Sequence, residues 1–258
     1  QPCKTHNLYT LMIPIMKPIL ISLFLITCFS FLQDLAAQKV GIGTLNPLFK
    51  LDVRVGSINT DSVYRIEGLS VLSVKGTGSL FVGNNAGKIN TGSYNSFIGE
   101  ESGLSNTTGA FNSFTGYQSG NANTIGNLNA FYGFQSGRQN IDGLSNSFFG
   151  ASAGYGNVTG DDNSFFGAGA GFNTTGNANS FFGSDAGRTN TTGSYNVFIG
   201  RNAGYTNSAG SLNVFIGRNT GYANTTGYSN VAIGSAALRN NIDGSNLVAI
   251  GDSALFHQ

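Results

Sequence analysis

The sequence predicts an all-β solenoid, a β-roll of about eleven 17-residue rungs, and three observations carry that expectation. The composition is rich in Gly (38 residues) and Phe (20), has no Trp and only 10% charged residues. Disorder would call for few aromatics and a high net charge, so the chain reads as repetitive and ordered. A glycine closing each "F-x-G" or "A-I-G" recurs at 83, 99, 116, 133, 150, 167, 183, 200, 217, 234 and 251, in steps of 17 with two of 16. "NSFFG" at 146–150 and 179–183, and "NSFFGAGAG" at 163–171, set two Phe side by side. Neighbours in a strand point to opposite faces, so both faces of these strands need cover.

The N-terminal part differs from the rest. "MKPILISLFLITCFSFLQDLAAQ" (16–38) has a Met, a Lys, an apolar run from Ile19 to Leu32 and a small-residue site, which is the pattern of a secretory signal peptide cleaved after Ala37. The run is short for a membrane span. "LITC" also resembles a lipobox ending at Cys28, and a retained anchor is the other alternative. Residues 1–14 are expected to lie upstream of the true start at Met16 or Met12. Cys3 and Cys28 both precede the cleavage point, so no disulfide is expected in the mature chain. Residues 38–258 hold eleven Lys plus Arg and eleven Asp plus Glu, with no basic run, which argues against a nucleic-acid partner. Cleavage leaves no membrane insertion. The expected organisation is residues 1–37 upstream and signal sequence, 38–78 a short N-terminal β cap, and 79–258 the repeats. "KVGIG" and "KLDVRV" alternate like strands around a turn at "TLNP".

Within each repeat an Asn lies four before the key glycine, as Asn95, Asn112, Asn129, Asn146, Asn163, Asn179, Asn196, Asn213 and Asn230. A second glycine lies four after it, from Gly87 to Gly221, and a second Asn column opens "NTTG" at 106–109, 190–193 and 224–227. Seventeen residues cannot bury a core alone, but stacked rungs can, with like residues forming ladders. Glycine suits tight corners with positive φ, and Asn tolerates the same region or bonds to itself along the stack. At about 4.8 Å per rung, eleven rungs make a rod of roughly 50 Å.

The two Phe belong to two columns. One residue before the glycine stand Ile98, Thr115, Tyr132, Phe149, Phe166, Phe182 and Ile199, sharing a face with Ser or Val two residues earlier. That mixed face is assigned to the protomer interior. Two before the glycine stand Phe97, Phe114, Phe131, Phe148, Phe165, Phe181, Phe198 and Phe215, expected to point outward as an oligomer interface. Soluble monomers rarely expose such a stripe, and covering it at about 25 cal/mol/Å² is worth well over 10 kcal/mol. The alternative is a thicker monomeric solenoid that buries both columns.

"NVAIGSAAL" (230–238) and "LVAIGDSAL" (247–255) resemble the "VAIG-x-x-A" repeats of trimeric autotransporter adhesin heads. "KVGIGTLNPLFKLDV" (39–53) and "YRIEGLSVLSV" (64–74) resemble the N-terminal part of secreted tail-fibre-like proteins of Bacteroidota. The resemblance implies a parallel homotrimer of β-rolls. The period of 17 is longer than the usual adhesin-head repeat, so the corners must differ. The rungs are expected to continue beyond Gln258, because a bare rung leaves an unpaired edge.

No catalytic constellation, cofactor motif or metal site emerges. His257 is the single histidine after the cleavage point, which leaves no Ser-His, Cys-His or His-rich zinc arrangement. Glu100–Glu101 and Asp161–Asp162 read as solvated pairs, and Asp142 and Asp243 in "NIDG" as corner residues tolerant of left-handed φ. Three copies of such an Asp around a trimer axis could hold Ca²⁺, but too few ligand oxygens accompany it. No P-loop Lys follows "GAGAG" 167–171. "NTTG" hydroxyls are too irregular for an ice lattice. Tyr155, Tyr205 and Tyr222 recur at successive corners, where they can stack on a sugar or pack on the neighbouring rung. The expected function is a secreted or surface-exposed structural and adhesive rod, with a surface glycan or protein as ligand. The alternatives are a monomeric carbohydrate-binding solenoid and, lacking the clustered acids it needs, a polysaccharide-processing enzyme.

Overall fold

The computed structural model describes residues 40–42, 51–53, 63–66 and 68–257; the signal-peptide and lipobox readings fall outside them. Two compact units divide at Thr60/Asp61. In the first, β1 (Val40–Ile42) pairs in parallel with β2 (Leu51–Val53). The second begins with β3 (Val63–Ile66) and β4 (Leu69–Ser73), an antiparallel hairpin. The repeats supply β5 (Leu80–Val82), β6 (Ser96–Ile98), β7 (Ser113–Thr115), β8 (Ala130–Tyr132), β9 (Ser147–Phe149) and β10 (Ser164–Phe166). They continue with β11 (Ser180–Phe182), β12 (Val197–Ile199), β13 (Val214–Ile216), β14 (Val231–Ile233) and β15 (Val248–Ile250). β5 to β15 stack in parallel in one sheet, about ten turns of a solenoid, and the antiparallel pairing of β4 on β5 closes its start. The register is one rung per repeat: Phe165 lies between Phe148 and Phe181.

Each rung has three parts: a three-residue strand, a turn segment covering the six residues after the key glycine, and a bend segment from the second Asn column to the first. Side-chain parity sorts the strand. The residue two before the glycine and the Asn four before it point inward; the residues one and three before it point outward.

The structure therefore reverses the expected sides. Phe97, Phe114, Phe131, Phe148, Phe165, Phe181, Phe198 and Phe215 are fully buried inside one protomer, so they form no oligomer interface. With Phe81 they stack ring on ring at 4.7–5.1 Å along the rod. The physical reason is the glycine four residues after the key one. Gly154 sits at φ +58, and a Cβ there would land inside the Phe148 ring. Only a missing side chain clears room for the inward ring. The column of Ser, Val, Thr and Ile lies outside, where water tolerates its polar members.

Two amide ladders line the rest of the interior. In the first, each Asn accepts through Oδ1 the backbone N–H of its counterpart one rung on, as Asn146 N–H to Asn129 Oδ1 (2.9 Å) and Asn163 N–H to Asn146 Oδ1 (3.0 Å). Its Nδ2 donates to the bend glycine of the next rung, as Asn146 to Gly160 O (2.7 Å). In the second, the side chains bond directly: Asn140 Nδ2 donates to Asn123 Oδ1 (2.8 Å) and Asn157 Nδ2 to Asn140 Oδ1 (3.1 Å). Neither column takes a left-handed φ, so the Asn are there for their amides. Buried amides are tolerated because every donor and acceptor is matched rung by rung.

The second ladder breaks once. The rung from Gly167 is one residue short, so "NTTG" 173–176 slips, leaving Asn173 exposed and putting Thr174 in the Asn slot. Thr174 Oγ1 is the one buried side-chain polar atom among the described residues without a hydrogen bond. Asn157 Oδ1, lacking a donor from that rung, accepts Gly160 N–H instead (3.1 Å). Asn241 makes the same bond to Gly244 at the ladder's last described rung.

Candidate interaction surface

The outward sheet face carries a column of partly exposed apolar side chains along the rod. One before each key glycine, Ile98 is 40% exposed, Phe166 36%, Phe182 40% and Ile199 40%. Tyr132, Phe149, Phe166 and Phe182 form an outer stack at 4.8–4.9 Å, rings parallel and edges outward. The paired Phe of "NSFFG" thus feed two combs, one inside and one outside. Ser or Val three before the glycine fill the space between, half-buried.

A further apolar column runs beside this face, five before the key glycine. Tyr94, Phe111, Leu128, Tyr195 and Leu212 sit there at φ +59 to +60, with Leu128 60% and Tyr195 63% exposed. Bulky residues in left-handed conformation cost about 1–2 kcal/mol each, so solvent-facing Tyr, Phe and Leu in this slot are not selected by the backbone. The slot holds Ser145, Asp162 and Ala178 in the middle rungs and Ser229 and Asn246 in the last two. Sequence reading missed this column because its residue type varies, although its constant distance from the Asn ladder marked it.

The corner aromatics have little free ring face. Arg138 lies over one face of Tyr155 (5.6 Å to the centroid) and Phe172 over the other (4.9 Å). Arg188 lies over Phe172 (4.8 Å). Tyr205 stacks on Tyr222 (5.0 Å), whose other face carries Arg239 (5.6 Å). Tyr155 and Tyr222 thus present edges to solvent, while stacking on a sugar needs a face.

Asp142 and Asp161, from adjacent rungs, line one open cavity with Ile125, Asn127, Leu144 and Thr159. Asp161 accepts Leu144 N–H (2.7 Å), Asp162 turns away at φ +58, and Glu101 accepts Gln118 Nε2 (2.8 Å). Asp142 and Asp243 stand exposed in the bend segment, neither with left-handed φ, which corrects the expected corner role. Among the described residues no three His, Cys, Asp or Glu gather as a metal cage, and no helix is long and apolar enough to cross a membrane.

Comparison with protein-family models, curated proteins and solved structures gives no match.

Proposed function

We propose that this chain is a secreted or surface-exposed structural rod that assembles as a parallel homotrimer and holds adhesive surface away from the cell, without catalysis. The observation that supports this reading is the outward sheet face. Its column one before the key glycine, apolar at every rung but Thr115, runs the length of the repeats, a stretch of roughly 50 Å at about 4.8 Å per rung. Such a face exceeds what soluble monomers commonly leave in water. A second and third copy of the same face are the simplest cover, since each would meet a surface of identical rise. The "VAIG-x-x-A" rungs at 230–238 and 247–255, with their likeness to trimeric adhesin heads, point the same way. A surface glycan or protein would then be held by many weak contacts repeated along a rigid body, which multiplies affinity without any single strong site.

The test is the solution mass of the purified chain by light scattering, with and without Phe166→Ser and Phe182→Ser in the outer column. Three times the chain mass for the wild type and a smaller species for the variant are expected. A folded wild-type monomer across micromolar concentrations would remove the reading.

A further inference from the structure

The cations of the repeats are confined to one part of the rung, while the acids divide between two, with Glu100, Glu101, Asp185 and Asp252 in turn segments. Every Lys and Arg of the repeats lies in a turn segment: Lys88, Arg138, Arg188, Arg201, Arg218 and Arg239. The bend segments hold no cation and four acids, Asp142, Asp161, Asp162 and Asp243. The turn segment leaves the C-terminal end of each strand and the bend segment enters its N-terminal end. The outer sheet face is therefore bordered by a turn side that carries every cation of the repeats and by a bend side that carries acids alone.

Two rungs share a pattern, "RQNIDG" at 138–143 and "RNNIDG" at 239–244, with Arg four before Asp. Neither pair closes within the chain; the ion pair found among the described residues joins Arg188 to Asp185 (2.5 Å). Arg138 is instead held in place by neutral groups. Its Nε donates to Gln118 Oε1 (3.0 Å) and its NH1 to Tyr155 Oη (2.7 Å). Arg239 lies 5.6 Å from the centroids of both Tyr222 and Phe256. The carboxylates of Asp142 and Asp243 are exposed and accept no hydrogen bond among the described residues. Both rungs thus offer a positioned cation on one side and an open carboxylate, at the same height, on the other.

We infer that Arg138 and Arg239 of one copy pair with Asp142 and Asp243 of the next, so that two ion-pair rungs set the copies parallel and in register. This rests on the parallel self-assembly proposed above and adds the contacts that fix its orientation and register. A two-fold axis that reverses the rods brings like sides together, cation against cation. Rotation about an axis along the rod brings a turn side to a bend side, a heterologous contact that closes as a ring. In-register copies then satisfy both pairs at once, while a slip of one rung loses both. Complementary charge of this kind steers orientation and excludes wrong partners more than it adds affinity.

The experiment measures self-association of the full chain by sedimentation at low and high salt, for three forms. They are the wild type, Asp142→Lys with Asp243→Lys, and those two changes combined with Arg138→Glu and Arg239→Glu. Asp142 and Asp243 are exposed, so the first variant keeps the fold, checked by circular dichroism. Expected results are association about tenfold or more weaker for the double variant at low salt, and recovery in the fourfold swap. The difference should largely vanish near 0.5 M salt, where screening falls within a few ångströms. A double variant that assembles like the wild type at every salt overturns the ion-pair inference and leaves the assembly standing. A wild type that never assembles overturns the assembly itself. If the fourfold variant loses its fold, mixing the double Asp→Lys variant with the double Arg→Glu variant decides: mixed oligomers support the pairing, and none refute it.

Discussion

The rungs up to Gly221 and the two that follow build the same interior from opposite parts. In the first set a large inward Phe faces a glycine, as Phe148 faces Gly154 and Phe215 faces Gly221. In the rungs of Gly234 and Gly251 the inward residue shrinks to Ala232 and Ala249, and the glycine grows to Leu238 and Leu255. Leu238 is fully buried and sits at φ +50, close to the +55 of Gly221. Side-chain volume has crossed from the strand to the turn while the backbone kept its path. The two positions are one packing unit, and close-packed interiors require that their volumes trade against each other. Leu accepts a left-handed φ at some cost because an empty interior beside Ala would cost more.

The largest effect should come from breaking one unit of the first kind. Phe148→Ala leaves a cavity between stacked rings and should cost about 3–5 kcal/mol in denaturant unfolding. Adding Gly154→Leu converts the rung to the second kind and should recover about half, a coupling within the range of contacting pairs. If the two changes are simply additive, the packing unit does not exist. The mirror experiment, Leu238→Gly, empties a rung of the second kind and should cost about 2–4 kcal/mol, less than the Phe change because the strained φ is relieved.

Both amide ladders cross the junction, from Asn213 to Asn230 and from Asn224 to Asn241, the first ending where Leu247 takes the Asn slot, so they should not distinguish the rungs on either side of it. Asn146→Ala leaves Asn163 N–H without a partner and takes one of two donors from Gly160 O, which keeps Asn157 Nδ2, and should cost about 1–3 kcal/mol. Asn230→Ala orphans Leu247 N–H and leaves Gly244 O with Asn241 Nδ2 alone, and should cost a similar amount. Unequal losses would mean that the Phe stack, not the amides, sets ladder strength. The smallest effect is a gain. Thr174→Asn supplies the missing rung of the second ladder between Asn157 and Asn190 and should stabilise by about 1 kcal/mol, read as a higher unfolding midpoint. A lower midpoint would mean that the short rung cannot seat the longer side chain.

Much of this was legible in one dimension. The spacing of the key glycine gave the rung length, and hence the parallel, in-register sheet of like residues. The constant Asn column gave a self-bonded ladder. The exchange of Phe and Gly for Ala and Leu was also in the sequence, at fixed spacing, but is invisible until the two columns are known to touch. The slip at "NTTG" 173–176 was not legible, because the motif is intact there and only the missing residue earlier in the rung moves Asn173 out.

The sequence by itself determined period, parity and composition: which residues recur, which share a face and where charge is sparse. Tertiary structure decided which face is inside. Parity links Phe148 with Asn146 and Phe149 with Ser147 but is symmetric under exchange of inside and outside. That symmetry is broken only when the turn folds back and brings Gly154 against the ring of Phe148, a contact between residues whose closeness no spacing along the chain reveals.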